Sequence, residues 1–313
     1  MQAPFHAELS EAPPGGSVIW QTAADGVRLR IGLWSPQDAL GTILLLPGRT
    51  EYIEKYGRVI KDLTAHRYAV AVIDWRGQGF SDRLADDRAL GHVEAFADYQ
   101  TDLAALLAAV DEACLPKPVF LLSHSLGGNI GLRSLVDGLL DVDRAVFSAP
   151  MWGIFIPPTK RVSAAFLPTW ARMTGKKLAY LPGAGEAAYV TESGFEDNLL
   201  TTDQDHFDYF TRQINAVPEL ALGGPSVHWF LEAQAECARL QAAPRPNVPA
   251  QIYFGTLEGI VDAATIRVMH EAWPSATLAV IDGARHELMM ERTAPRQSFL
   301  DGALAFFDSA QAA

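Results

Sequence analysis

The sequence predicts an α/β protein, a mostly parallel sheet flanked by helices and interrupted by a mainly helical insertion. Three observations carry this. Continuous apolar runs recur at 42–46 (TILLL), 69–73 (AVAVI), 119–122 (VFLL) and 145–148 (AVFS), as expected of strands buried on both faces. Helical stretches separate them, and such an alternation builds a parallel sheet covered on both sides. The rhythm stops between about Met151 and Ala243 and resumes at AQIYF, 250–254.

Each element follows in order. The first 16 residues are rich in Pro, Gly and Glu and are expected to lie loosely on the surface. Val18–Thr22 and Val27–Trp34 read as strands joined by a hairpin at Asp25-Gly26. Helical patterns cover Glu51–Ala65, Ala95–Ala113 and Leu126–Gly138, then Asp203–Ile214 and Ser226–Leu240 inside the insertion. Ala276–Ile281 is the last strand and Ser298–Ala310 the last helix. The domain reading is a core of residues 1–150 and 245–313, with a helical cap at 151–244 inserted after the sixth strand.

Composition narrows the function classes. The chain has 313 residues, 49% hydrophobic and 20% charged. A chain this long buries roughly three quarters of its unfolded surface and needs no metal or disulfide to fold. The net charge of −12 repels phosphate backbones, so nucleic acid is not an expected partner, and no polybasic membrane anchor is present. Cys114 and Cys237 are far apart, with no CxxC or Cys/His cluster, and read as two inert buried thiols in a reducing compartment. No secretory leader and no apolar run of about 18 residues is found, which predicts a cytoplasmic protein.

Chemistry enters at LLSHSLGG, 121–128. Ser125 lies between an apolar strand and a helix, with Gly127 and Gly128 after it. A serine in that turn adopts a strained backbone that turns its Oγ out of the sheet. The usual spacing is G-x-S-x-G, so Ser123 is a departure, tolerable because serine is small. The bland reading of Ser125 is an N-cap, but the strand–serine–helix context favours a nucleophile. A serine needs a base. His286, in IDGARHELM after the last strand, stands where the α/β-hydrolase order Ser, acid, His puts it. The other seven histidines read as structural or surface residues. The acid is expected in FGTLEGIVDAA, after AQIYF. Glu258, close to the strand end, is favoured, and Asp262, which fits an N-cap, is the alternative. The backbone N–H groups of Leu126 and Arg49 are the expected oxyanion donors. The Arg49 side chain has two readings, a contact with a polar head group or a surface ion pair with Glu51 or Glu54.

These motifs occur together and in order: PGRTEY (47–52), DWRGQGFSD (74–82), SHSLGG (123–128), GTLEGIVD (255–262) and DGARHE (282–287). The set resembles the lysophospholipase and monoacylglycerol lipase group of serine α/β-hydrolases, in its bacterial lysophospholipase-like branch, over nearly the whole chain. The segments NLLTTD and NAVPELALGGPSVHWF are similar to that group's cap. The resemblance implies a triad of Ser125, Glu258 and His286 and oxyanion donors at Arg49 and Leu126. It makes Asp74 and Arg76 structural. Two departures stand out. The acid place commonly holds Asp, which leaves Asp262 open, and Pro47-Gly48 replaces the usual His-Gly.

The expected function is hydrolysis of single-chain lipid esters, with at most transient membrane contact and no cofactor or metal. Trp152, Phe155, Phe166, Trp170, Phe210, Trp229 and Phe230 in the insertion suit an acyl chain and suit core packing equally. A short-chain carboxylesterase, thioesterase or peptidase keeps the chemistry and changes the substrate. A binding protein that has lost catalysis is the non-enzyme alternative.

Overall fold

The computed structural model describes residues 1–311. Their eight strands are β1 (Ser17–Thr22), β2 (Arg28–Trp34), β3 (Thr42–Leu46), β4 (Ala69–Asp74), β5 (Val119–His124), β6 (Arg144–Ser148), β7 (Ala250–Gly255) and β8 (Ala276–Ile281). They form one sheet of order β1-β2-β4-β3-β5-β6-β7-β8. β2 pairs antiparallel with both β1 and β4, and every other neighbour pair is parallel. The α/β-hydrolase architecture expected from the sequence is the one observed. The ten α-helices among the described residues are α1 (Ala7–Ser10), α2 (Gly57–Ala65), α3 (Asp98–Glu112), α4 (Leu126–Val136), α5 (Arg161–Thr174), α6 (Tyr189–Glu192), α7 (Gln204–Ala216), α8 (Val227–Ala242), α9 (Ala263–Glu271) and α10 (Thr293–Gln311).

The pleat explains why the apolar runs are continuous. In β3, Ile43 and Leu45 point to one face and Leu44 and Leu46 to the other, all buried. The first face is covered by α2, α7 and α10, through side chains such as Ile60, Phe210 and Phe307. The second is covered by α3, α4, α8 and α9, through Leu106, Ile130, Trp229 and Ile266. Each such side chain contributes about 1.5–3 kcal/mol on burial.

Boundaries shift where local chemistry dictates. The predicted helix at 51–65 opens as a 3₁₀ turn, Ile53–Tyr56, before α2. The last helix starts at Thr293, before Pro295, because proline is tolerated in a helix's first turn. The N-terminal segment is not loose. The Ala3 N–H donates to Val18, the buried Arg30 donates to the Pro4 carbonyl, and Tyr209 donates to the Ser10 carbonyl. Cys237 is buried as expected, whereas Cys114 is exposed in a positive-φ turn after α3.

Between β6 and β7 the described residues form no strand of the sheet. This stretch is not a separate core, since α7 and α8 enter the apolar clusters on opposite faces of the sheet. α5 stands outermost. It buries Leu167 and Ala171 against Val227 and Phe230, and leaves Val162, Phe166 and Met173 exposed.

A buried ion cluster ties the N-terminal half together. Arg30 on β2 donates to Asp74 (2.7 Å) and to both oxygens of Glu54 (2.9 and 2.6 Å), all three side chains fully buried. Asp74 also accepts from the Ile53 and Phe80 N–H groups, so it locks the segments that follow β3 and β4. Removing one partner strands the others' charge in the interior. Arg30→Met is therefore expected to cost about 3–5 kcal/mol, read by urea unfolding. A loss below about 1 kcal/mol would mean that water reaches the carboxylates and that the cluster does not hold the fold.

Candidate active site

The site is assembled from loops at the C-terminal ends of the parallel strands, where open α/β sheets place ligands. β5 delivers Ser125, held at φ 49° and ψ −113°. That conformation is strained for a residue with a Cβ, at a cost of order 1–3 kcal/mol. The surroundings enforce it. The Ser125 N–H donates to the Ser148 carbonyl (3.1 Å), and its own carbonyl accepts from Gly128, Asn129 and Met151. α4 then passes so close to β3 that a Cβ at Gly127 would lie 2.1 Å from the Leu46 carbonyl oxygen. Ser123, the departure from the glycine pattern, fits because its Oγ donates to the Val146 carbonyl at 3.3 Å.

His286 lies in the loop after β8 and is almost fully buried. Its Nδ1 meets Glu258 Oε2 at 2.8 Å. Glu258 also accepts from the Ile260 and Val261 N–H groups through Oε1, so both carboxylate oxygens are engaged. Burial disfavours the Glu258 charge, but His286 and the two N–H donors outweigh it and hold the group at about 2. Burial likewise pushes His286 down, and the Glu258 carboxylate reverses this and raises it above the ordinary histidine value. Asp262 sits elsewhere. It caps α9, accepting from the Ala264 N–H and the Thr265 hydroxyl. Of the two carboxylates expected near His286, the structure brings Glu258 to it.

Ser125 and His286 line one cavity of about 380 Å³, which Arg49 also lines. Ser125 Oγ forms no hydrogen bond with a described residue. Leu126 opens α4 and Arg49 follows Gly48. The backbone N–H of neither has an acceptor among the described residues.

The loop carrying Arg49 is held by side chains the sequence did not single out. Trp75 Nε1 donates to the Pro47 carbonyl (2.9 Å). Gln78 accepts from the Thr50 N–H and donates to the Gly48 carbonyl, both at 3.1 Å. Glu51 accepts from the Gly48 N–H and the Tyr56 hydroxyl. DWRGQGFSD thus supports the loop through Trp75 and Gln78, while Asp74 and Arg76 hold the scaffold, Arg76 through Asp102.

Beside His286 in the chain, Glu287 joins a buried ion-pair network, also missed. Lys55 bridges Glu51 (2.9 Å) and Glu287 (2.6 Å). Lys55 and the Tyr56 hydroxyl hold Glu51 below the usual carboxylate range despite its burial, and burial raises Glu287. Glu51, His124 and Glu287 bring three ligand-type atoms within 4.8 Å of one another. The Lys55 ammonium already supplies the cation between the two carboxylates. Burial pulls His124 down to about 4, so it stays neutral. Glu51 and Lys55, which the sequence places in a helical stretch, are both interior.

The segment between β6 and β7 completes the walls. Leu199 and Leu200 accept backbone hydrogen bonds from His286 and Glu287. Ile154, Phe210, Trp229 and Phe230 face the cavity. Trp152 packs in the core instead, and Phe155, Phe166 and Trp170 are exposed.

The His286–Glu258 contact has a measurable sign. A histidine whose cation is stabilised titrates above the ordinary value of about 6.5. Glu258→Gln removes the anion and is expected to lower the His286 pKa, read by NMR of the ring nitrogens. An unchanged titration would show that the contact does not form in solution.

The serine aminopeptidase S33 family matches residues 37–293. Lysophospholipase L2 of Escherichia coli is 29% identical over 92% of this chain and 86% of its own length. A probable lysophospholipase L2 of Haemophilus influenzae is 28% identical over 86% and 84%. Among solved structures, a soluble variant of monoglyceride lipase from Saccharomyces cerevisiae superposes with a TM-score of 0.72 at 18% identity, covering 93% of this chain and 94% of that one. A carboxyl esterase from Bacillus coagulans also gives 0.72, at 14% identity over 95% and 99%. With the family matched along most of its length and the sheet topology in agreement, the chain belongs to the serine aminopeptidase S33 family and is a serine hydrolase of the α/β-hydrolase fold.

Proposed function

We propose that the protein hydrolyses the carboxylic ester of single-chain lipids, a lysophospholipid or a monoacylglycerol. The observation that carries this reading is the cavity. A strained serine and a carboxylate-bound histidine share it with a wall of aliphatic and aromatic side chains from the 151–244 segment. Its volume falls in the range of small-molecule sites, and its apolar wall suits an acyl chain. The names of the bacterial lysophospholipase relatives agree.

In this mechanism Ser125 Oγ attacks the ester carbonyl carbon. His286 takes the serine proton through Nε2, since Nδ1 is committed to Glu258. The Arg49 and Leu126 N–H groups stabilise the oxyanion, about 3 kcal/mol for each such donor. The tetrahedral intermediate collapses, the C–O bond breaks, and the leaving alcohol collects the proton from His286. Water, activated by the same histidine, then hydrolyses the acyl-serine. The 151–244 segment acts as a cap over the nucleophile. The exposed Val162, Phe166 and Met173 of α5 give it a surface for transient contact with lipid aggregates. No helix among the described residues is long and apolar enough to cross a membrane.

A peptidase reading is less well served by this cavity. An aminopeptidase needs an accessible free carboxylate for the substrate's terminal ammonium; Glu51 and Glu287 in the wall are both bound by Lys55, and the one Glu287 oxygen without a partner among the described residues is buried.

Turnover of p-nitrophenyl esters against acyl length tests the reading. Wild type is expected to work best on medium or long chains. Ser125→Ala should fall to background, and Glu258→Gln should lower kcat on the order of 10³–10⁴-fold. Best rates on acetate or butyrate would replace the lipid substrate with a short ester. Turnover retained in Ser125→Ala would remove Ser125 from the mechanism.

A further inference from the structure

The Arg49 side chain does not form the surface ion pair that its neighbours in sequence imply. Glu51 is taken up by Lys55, Tyr56 and the Gly48 N–H, and Glu54 by Arg30. The guanidinium instead lines the cavity, with its carbon 5.3 Å from the centroid of the Trp229 ring. It lies so close against residue 91 that a Cβ there would stand 2.3 Å from Nη2, and glycine occupies that position. One hydrogen bond is formed, from Nη2 to the Gly223 carbonyl at 2.7 Å. Nε is buried with no partner among the described residues. The chain carries 37 acidic residues, and among the described residues none lies in ion-pair contact with this guanidinium. The other strong base lining the cavity, Lys55, is bracketed by two carboxylates. Arg49 is thus the cavity's uncompensated cation.

We infer that the Arg49 guanidinium is an anion subsite, and that it takes the phosphate of a single-chain glycerophospholipid whose ester is cleaved at Ser125. The inference rests on the lipid-ester reading above and sharpens it, since a neutral monoacylglycerol offers nothing to this charge. A cation partly removed from water, with its Nε buried and no carboxylate beside it, is costly unless a ligand supplies the anion. The planar fork of arginine matches phosphate oxygens, and the Gly223 carbonyl occupies one of its five N–H groups. Burial lowers the group to about 10, so it remains charged at neutral pH.

The test compares a lysophospholipid with a monoacylglycerol of the same acyl chain. The readout is the ratio of the two kcat/KM values for wild type, Arg49→Met and Arg49→Lys, with thermal unfolding as the check on folding. Both substitutions keep the backbone N–H. Arg49→Met is expected to lower the ratio at least about 10-fold, mainly through KM for the phosphate-bearing substrate, with Arg49→Lys between it and wild type. This is the loss expected for a charge-assisted contact. An equal loss on both substrates would make Arg49 only a tie to Gly223, and unchanged kcat/KM on both would leave it without a ligand; either overturns the inference. Inhibition of neutral-ester turnover by glycerol 3-phosphate, and weakly by inorganic phosphate, supports a lipid head group as the source of the anion. Equal inhibition by the two overturns that source. If wild type cleaves neither lipid, the lipid-ester reading fails on its own. Calorimetric binding of glycerol 3-phosphate to wild type, lost in Arg49→Met, would then still support the anion subsite, and no binding would overturn it.

Discussion

Ser125 sits at φ 49° between β5 and α4, and the site is organised around keeping it there. Such a backbone persists only when its neighbours over-determine it. Hydrogen bonds from both sides of the turn do so, with the Ser148 carbonyl accepting and the Gly128, Asn129 and Met151 N–H groups donating. The same turn presses α4 against β3 with no space for a Cβ at Gly127, so the first turn of the helix stands beside the end of β3. The loop after β3, which carries Arg49, therefore lines the cavity that Ser125 also lines. One strained residue couples the centre of the sheet to the polar end of the cavity.

Around that turn, charge is buried in two grades. Arg30, Asp74 and Glu54 are fully enclosed and connect β2, β4 and the 3₁₀ turn after β3. Glu51, Lys55 and Glu287 lie one layer nearer the cavity and brace the Arg49 loop against the His286 loop. Buried ion pairs of this kind contribute little net stability compared with apolar packing, and serve to define a single arrangement. Here the arrangement defined is the relative position of two loops more than 200 residues apart in the chain. Arg49 breaks the pattern. It is the cation in the same wall that the protein leaves without a carboxylate.

The segment between β6 and β7 is part of this construction. Its α7 and α8 pack into the two faces of the core, and its Leu199–Leu200 stretch accepts hydrogen bonds from the His286 loop. The apolar wall of the cavity and the position of the His286 loop therefore depend on the same stretch of chain. α5 packs on α8 through Leu167 and Ala171 and leaves Val162, Phe166 and Met173 exposed.

The sequence by itself determined the strand–helix order, the interruption after β6, and the residue types at the chemical positions. These depend on local pattern: runs such as TILLL are buried on both faces wherever they pair, and a small-residue turn after a strand has few other uses. The tertiary structure decided what depends on long-range meeting. It brought Glu258 to His286 and left Asp262 on its helix cap, since a contact across 28 residues of chain is set by how β7 and β8 pair. It pinned the N-terminal segment that composition alone described as loose, because Arg30 needed the Pro4 carbonyl. It took Glu51 and Lys55 inside, where Lys55 bridges Glu51 and Glu287. It also left Arg49 unpaired, because both nearby glutamates had stronger claims on them from elsewhere in the fold. Periodicity records which face of an element is covered, and it carries no record of which distant side chain arrives there.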